Sequence, residues 1–167
     1  MSRRVVVIDS GPLGYLVNKK NFKESERWFN FVRIVLQAEI QLPAIIDYES
    51  GRNYKLEKLT NSIVGLNKFR ERDEYLELTD LDLELAKSLW AYCRSIGRPT
   101  ANKDRIDVDV ILVAQAISLF EDFSEVIIIT VDPKDLGTFK DEYNLKIWDW
   151  KTALDDMDRG SVTFFEP

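Results

Sequence analysis

The chain has 167 residues, is 45% hydrophobic and 31% charged, carries a net charge of −6 and contains one cysteine and no histidine. These values fit one soluble domain. Apolar runs stay far below the ~20 residues of a membrane span, and the apolar stretch after Arg3-Arg4 is too short for a secretory signal. A cytoplasmic protein is therefore expected, with one domain over residues 1–158 and a tail over 159–167.

Without histidine, Ser-His-Asp and Cys-His catalysis, histidine-based ribonuclease chemistry and ordinary zinc sites are all excluded. Carboxylates, lysines, hydroxyls and a hard metal ion remain. The lone Cys93 permits no internal disulfide and sits in an amphipathic segment, as a buried structural thiol would. The 29 acids against 23 bases argue mildly against a nucleic-acid partner. A nuclease built on carboxylates and a metal escapes that objection, because its own site supplies several of the acids.

Arg4 to Ile8 is a β-branched run without alternation, the pattern of a strand covered on both faces. It ends at Asp9, and Ser10-Gly11-Pro12 offers a cap and a first-turn proline. A helix is expected from about Asn21 to Ala38, with Trp28, Phe29, Val32, Val35 and Leu36 on one face. A short strand over Ile40–Leu42, a helix over Ala44–Leu59 and a weakly patterned helix over Asn61–Arg72 follow. Tyr75–Leu78 reads as a strand. Thr79 caps a helix through Leu81, Leu85, Leu89 and Tyr92 that Gly97 and Pro99 terminate. After a charged loop over 100–106, a buried helix runs from Val108 to Phe120. Val126–Thr130 is a second fully apolar strand, Leu145–Trp148 a last short one, and Thr152–Asp158 a terminal helical turn. Strands separated by helices give an α/β fold with a mostly parallel sheet.

In such sheets ligands bind at the carboxyl ends of the strands. Asp9 and Asp132 follow two strands at that edge. Asp107 and Asp109 open a helix that is otherwise apolar, where they either complement the helix dipole or face inward toward a cation. Glu49 follows an apolar helical turn and reads equally as a solvated acid. Converging carboxylates repel one another unless cations neutralise them, and oxygen-only ligation suits Mg²⁺ or Mn²⁺.

Four segments together resemble the PIN-domain nucleases, including the VapC-type toxins. They are Val6-Val7-Ile8-Asp9-Ser10-Gly11-Pro12-Leu13, Leu42-Pro43-Ala44-Ile45-Ile46-Asp47-Tyr48-Glu49, Asp107-Val108-Asp109-Val110-Ile111-Leu112-Val113-Ala114-Gln115-Ala116, and Ile128-Ile129-Thr130-Val131-Asp132-Pro133-Lys134-Asp135-Leu136. The resemblance spans residues 4–148. It implies a three-layer sandwich with a mostly parallel central sheet between helices, and an acidic pocket binding Mg²⁺ or Mn²⁺. It also implies endonucleolytic hydrolysis of RNA.

Carried over by position, Asp9, Glu49, Asp109 and Asp132 form the catalytic set. Asp9, Asp107, Asp109 and Asp132 are the implied metal ligands, with Ser10 and Thr130 in support. Arg52, Lys55, Lys103 and Arg105 are candidate RNA contacts; each is otherwise an ordinary solvated charge. Leu136 stands where the family often has Phe, and the chain is longer than a typical toxin, mainly over 53–72. The implied partners are RNA, a second copy of the chain and an antitoxin protein.

Three other readings compete. One is a catalytically weak PIN domain serving as an RNA-processing or interaction module. Another is a phosphoaspartate-type phosphatase or switch using Asp9, which would want a second Asp where Gly11 stands. The third is a pure interaction module in which the acids are only solvated caps.

Overall fold

The structure is a computed structural model that describes residues 3–103 and 107–166. Among the described residues, five strands form one sheet in the order β3-β2-β1-β4-β5, every pairing parallel. They are β1 (Arg4–Ile8), β2 (Ala38–Pro43), β3 (Tyr75–Leu76), β4 (Glu125–Thr130) and β5 (Lys146–Asp149). Eight α-helices among the described residues connect and flank them: α1 (Ser10–Leu16), α2 (Phe22–Asn30), α3 (Ala44–Leu56), α4 (Thr60–Glu71), α5 (Asp80–Ser95), α6 (Val108–Ser118), α7 (Pro133–Tyr143) and α8 (Trp150–Arg159). This is the three-layer PIN-like α/β sandwich expected from the sequence.

The central pair explains the sheet. Val5 to Ile8 of β1 and Val126 to Ile129 of β4 are fully buried, and each such side chain removed from water contributes about 1.5–3 kcal/mol. Apolar residues on both faces require helices on both faces, and that requires parallel crossovers.

Several boundaries differ from those expected. The helix placed over 21–38 stops at Asn30, and a π-helical turn follows over Phe31–Val35. The chain is already in β2 by Ala38. Ile34 and Val35 are thereby left exposed, while Trp28, Phe31 and Val32 enter the core. The first segment after Asp9 is a full helix, α1. So is Pro133–Tyr143, with Pro133 at its start and a left-handed Asn144 at its end. The long segment over 53–72 is taken up by the end of α3 and by α4. Cys93 is buried, as expected.

Two buried polar residues tie elements together. Gln115, fully buried on α6, accepts from the Ile45 amide at 3.3 Å and donates to the Leu76 and Glu77 carbonyls at 3.0 and 3.1 Å. Helix α3 has no side-chain cap, so Gln115 satisfies one of its free first-turn amides. Asp156, also fully buried, accepts from Trp148 Nε1 at 2.9 Å, Arg159 at 2.6 Å and the Thr163 amide at 2.7 Å. The Phe165 amide donates to the Ile147 carbonyl and Lys146 Nζ lies over the Phe164 ring, so the tail returns to β5 at Phe164 and Phe165. No helix among the described residues is long and apolar enough to cross a membrane.

Candidate active site

The two buried strands β1 and β4 lie side by side, so the residues that follow them emerge together at the carboxyl edge of the sheet. Here a small cleft of about 170 Å³ is lined by Asp9, Ser10, Glu49, Asp109, Thr130, Asp132 and Asp135, with Val131 and Leu136 as its apolar members. Five carboxylates therefore meet from four parts of the chain. Asp9 comes from the end of β1, Glu49 from α3, Asp109 from the first turn of α6, and Asp132 and Asp135 from the start of α7.

Asp9 is the anchored member, only 8% exposed. One carboxylate oxygen accepts from the Ser10 amide at 2.7 Å and the other from Thr130 Oγ1 at 2.7 Å. Thr130 Oγ1 in turn accepts from the Asp132 amide at 3.1 Å. One hydroxyl thus aims Asp9 and sets the backbone that carries Asp132. Burial raises the Asp9 pKa, the hydrogen bonds from Thr130 and Ser10 oppose that rise, and the charge of Asp132 adds to it.

Asp109 is the most perturbed. Burial, and then the charges of Asp9, Asp107, Asp135 and Glu49, push its pKa up to about 7. Desolvation is the larger cause, and repulsion from the neighbouring carboxylates adds to it.

Gly11 lets α1 approach this edge. A Cβ there would lie 2.6 Å from Val131 Cγ1 and 2.7 Å from Cγ2. The position has no room for the second aspartate that a phosphoaspartate mechanism would want.

Of the residues singled out from sequence, Asp9, Glu49, Asp109, Asp132, Ser10 and Thr130 are brought together. Asp107 is not among the lining residues. Its buried carboxylate accepts from Thr100 Oγ1 at 2.5 Å and from the Val110 amide at 3.4 Å, capping α6. Its place in the fold is accounted for by that cap, although its charge still reaches Asp109. Arg52 and Lys55 are exposed on α3 beyond Glu49 and do not line the cleft; Arg52 stacks over the Tyr48 ring at 5.5 Å. Lys103 is exposed in the loop before α6, and Arg105 lies outside the described residues.

Asp135 joins the cleft without having been singled out. Its signal was its place three residues after Asp132, just inside a helix that Pro133 opens. Gln115 was also missed, although it is a lone amide in an apolar helix.

The donor set is entirely oxygen, which matches Mg²⁺ or Mn²⁺ and not a soft metal. Among the described residues no group of three or more His, Cys, Asp or Glu side chains is gathered closely enough to cage an ion. Mg²⁺ does not demand such a cage, since it keeps several waters and is held by one or two carboxylates plus its substrate.

No protein-family model matches the sequence, and no curated protein matches it either. Solved structures do match the fold. A chain of VapBC2 from Rickettsia felis, bound to a DNA fragment from their promoter, superposes with a TM-score of 0.64 at 15% identity, covering 87% of this chain and 98% of that one. VapBC-1 from nontypeable Haemophilus influenzae gives 0.59 at 17% identity, covering 88% and 98%. FitAB bound to an IR36 DNA fragment gives 0.53 at 14%, covering 86% and 94%. At 14–17% identity these likenesses are of fold: the chain shares the fold of chains in the VapBC and FitAB structures.

Proposed function

We propose that the acidic cleft is the active centre of a metal-dependent endoribonuclease that hydrolyses RNA phosphodiester bonds, as the toxin of a toxin–antitoxin pair. The observation that carries this reading is the meeting of five carboxylates around one cleft at the carboxyl edge of a parallel sheet. The VapBC and FitAB likenesses support the choice of fold partner.

Asp9, Asp109 and Asp132 would hold Mg²⁺ or Mn²⁺, directly or through water, with Asp135 as a further acid beside Asp109. When bound, the ion supplies a water of lowered pKa and offsets the charge that builds on the phosphate. Thr130 and Ser10 keep Asp9 in one rotamer, so that an acid, and not a mobile side chain, faces the substrate. Glu49 or Asp109 orients the attacking water and takes its proton. A second copy of the chain and an antitoxin protein complete the assembly.

The test is cleavage of a labelled mixed RNA pool with Mg²⁺ or Mn²⁺ by the wild type, by Asp9→Asn and by wild type in EDTA. Cleavage confined to the first supports the reading. Metal-dependent cleavage that Asp9→Asn leaves intact moves the activity away from this cleft.

A further inference from the structure

The chain stays on the fold after α8. Asp156, fully buried on that helix, accepts from the Thr163 amide at 2.7 Å, a bond that turns the following residues back along the molecule. The Phe165 amide then donates to the Ile147 carbonyl of β5 at 2.8 Å. Val162, Phe164 and Phe165 are partly buried against the core.

Two contacts of this segment fall on α7. Phe165 packs where that helix has no side chain: a Cβ at Gly137 would lie 3.7 Å from Phe165 Cε1. Glu166 pairs with Lys140 at 2.6 Å, and the Lys140 side chain is only 14% exposed. A lysine so far out of water needs its partner, and among the described residues Glu166 is its one ion pair.

Gly137 and Lys140 follow Asp132 and Asp135 along α7, a helix of 11 residues, about 16 Å in length. A tilt of that helix moves its first turn with it. The Asp132 side chain makes no capping bond, so its carboxylate goes where the helix start goes. Leu136 and Phe139 seat α7 in the core; Phe165 and Glu166 add a restraint from outside the core.

We propose that residues 162–166 form a strap on α7, with Phe165 and Glu166 as positioning residues that fix the helix whose first turn brings Asp132 and Asp135 into the acidic cleft. The inference deepens the reading of that cleft as a metal-holding, RNA-cleaving centre and rests on it for its catalytic meaning. It gives a segment remote in sequence a share in the site.

The experiment has two readouts besides turnover, taken on wild type, Phe165→Ala, Phe165→Leu and Glu166→Gln. Amide hydrogen exchange is followed in EDTA, and Mn²⁺ binding is titrated by electron paramagnetic resonance well below each melting temperature. Glu166 is 80% exposed, so Glu166→Gln keeps the fold even where Phe165→Ala weakens it. In Phe165→Ala the amides from Asp135 to Phe139 should exchange about tenfold faster while those of β1 and β4 do not change. Its Mn²⁺ affinity should fall about threefold or more. Glu166→Gln should move both readouts the same way by about twofold. Phe165→Leu keeps an apolar contact on Gly137 and should restore both.

Uniformly faster exchange in β1, β4 and α7 with unchanged Mn²⁺ affinity would make the segment a stabiliser of the whole fold and overturn the strap. Wild-type exchange and affinity in both Phe165→Ala and Glu166→Gln would overturn it as well. The α7 signature in a protein whose wild type cleaves no RNA would keep the strap and remove the RNA-cleaving reading.

Discussion

Replacing Asp109 by asparagine should stabilise the metal-free protein above neutral pH. The native carboxyl titrates at about 7 against an ordinary 3.8, so the folded state holds its proton more tightly than the unfolded chain. Stability from this group is complete below about pH 4 and is lost as pH rises through 7. At about 1.4 kcal/mol for each tenfold change in proton affinity, the full cost above pH 7 approaches ~4 kcal/mol. Solvent screening of a partly exposed side chain brings it nearer ~2 kcal/mol. Asparagine keeps the shape and never ionises, so it escapes that cost. For a domain of this size ~2 kcal/mol corresponds to about 4–8 °C in Tm. Thermal melts followed by circular dichroism in EDTA, at pH 8 and pH 4.5, read the effect. The variant should melt higher at pH 8 and level with wild type at pH 4.5. A lower Tm at pH 8, or the same gain at both pH values, would refute the cost of ionising a buried Asp109 among like charges as the cause.

Other perturbations have equally definite outcomes. Gln115→Leu leaves the Ile45 amide and the Leu76 and Glu77 carbonyls without their partner; urea unfolding should show a loss of about 2–4 kcal/mol, with faster hydrogen exchange at Ile45. Asp156→Ala deprives Trp148 Nε1 and the Thr163 amide of their acceptor; about 2–4 kcal/mol should be lost, with a shift in tryptophan fluorescence. Gly11→Ala drives a methyl into Val131 and should cost about 1–3 kcal/mol; adding Val131→Ala should restore most of it, and a double variant no better than the single would show that the contact is not the cause.

Much of the site was legible in the sequence because burial and chemistry coincide along it. Strands β1 and β4 announce themselves as unbroken β-branched runs, and an acid directly after each is conspicuous. Asp109 and Glu49 stand out against apolar helical turns. Asp107 looked like its neighbour Asp109, because sequence spacing does not show which of two acids turns back to cap its own helix. Asp135 was hidden because α7 was not read as a helix, and only its first turn carries the residue into the cleft. The end of α2 was misplaced because a π turn keeps the apolar pattern going while the backbone leaves the α-helical path. A cavity beside Phe22 was invisible for another reason: its walls join α1 and α2 to α4, which is distant from them in sequence, and its cations are ordinary lysines and arginines until the fold gathers them.

The central claim is that these acids cleave RNA with a divalent metal. The most direct measurement is single-turnover cleavage of a labelled RNA in Mn²⁺ by wild type, Asp9→Asn, Asp109→Asn and Asp107→Asn, each checked for folding. Losses on the order of 10³-fold or more are expected for Asp9→Asn and Asp109→Asn, with Asp107→Asn much closer to wild type because its carboxylate caps α6. Cleavage by Asp9→Asn at the wild-type rate, or undiminished by EDTA, would contradict it.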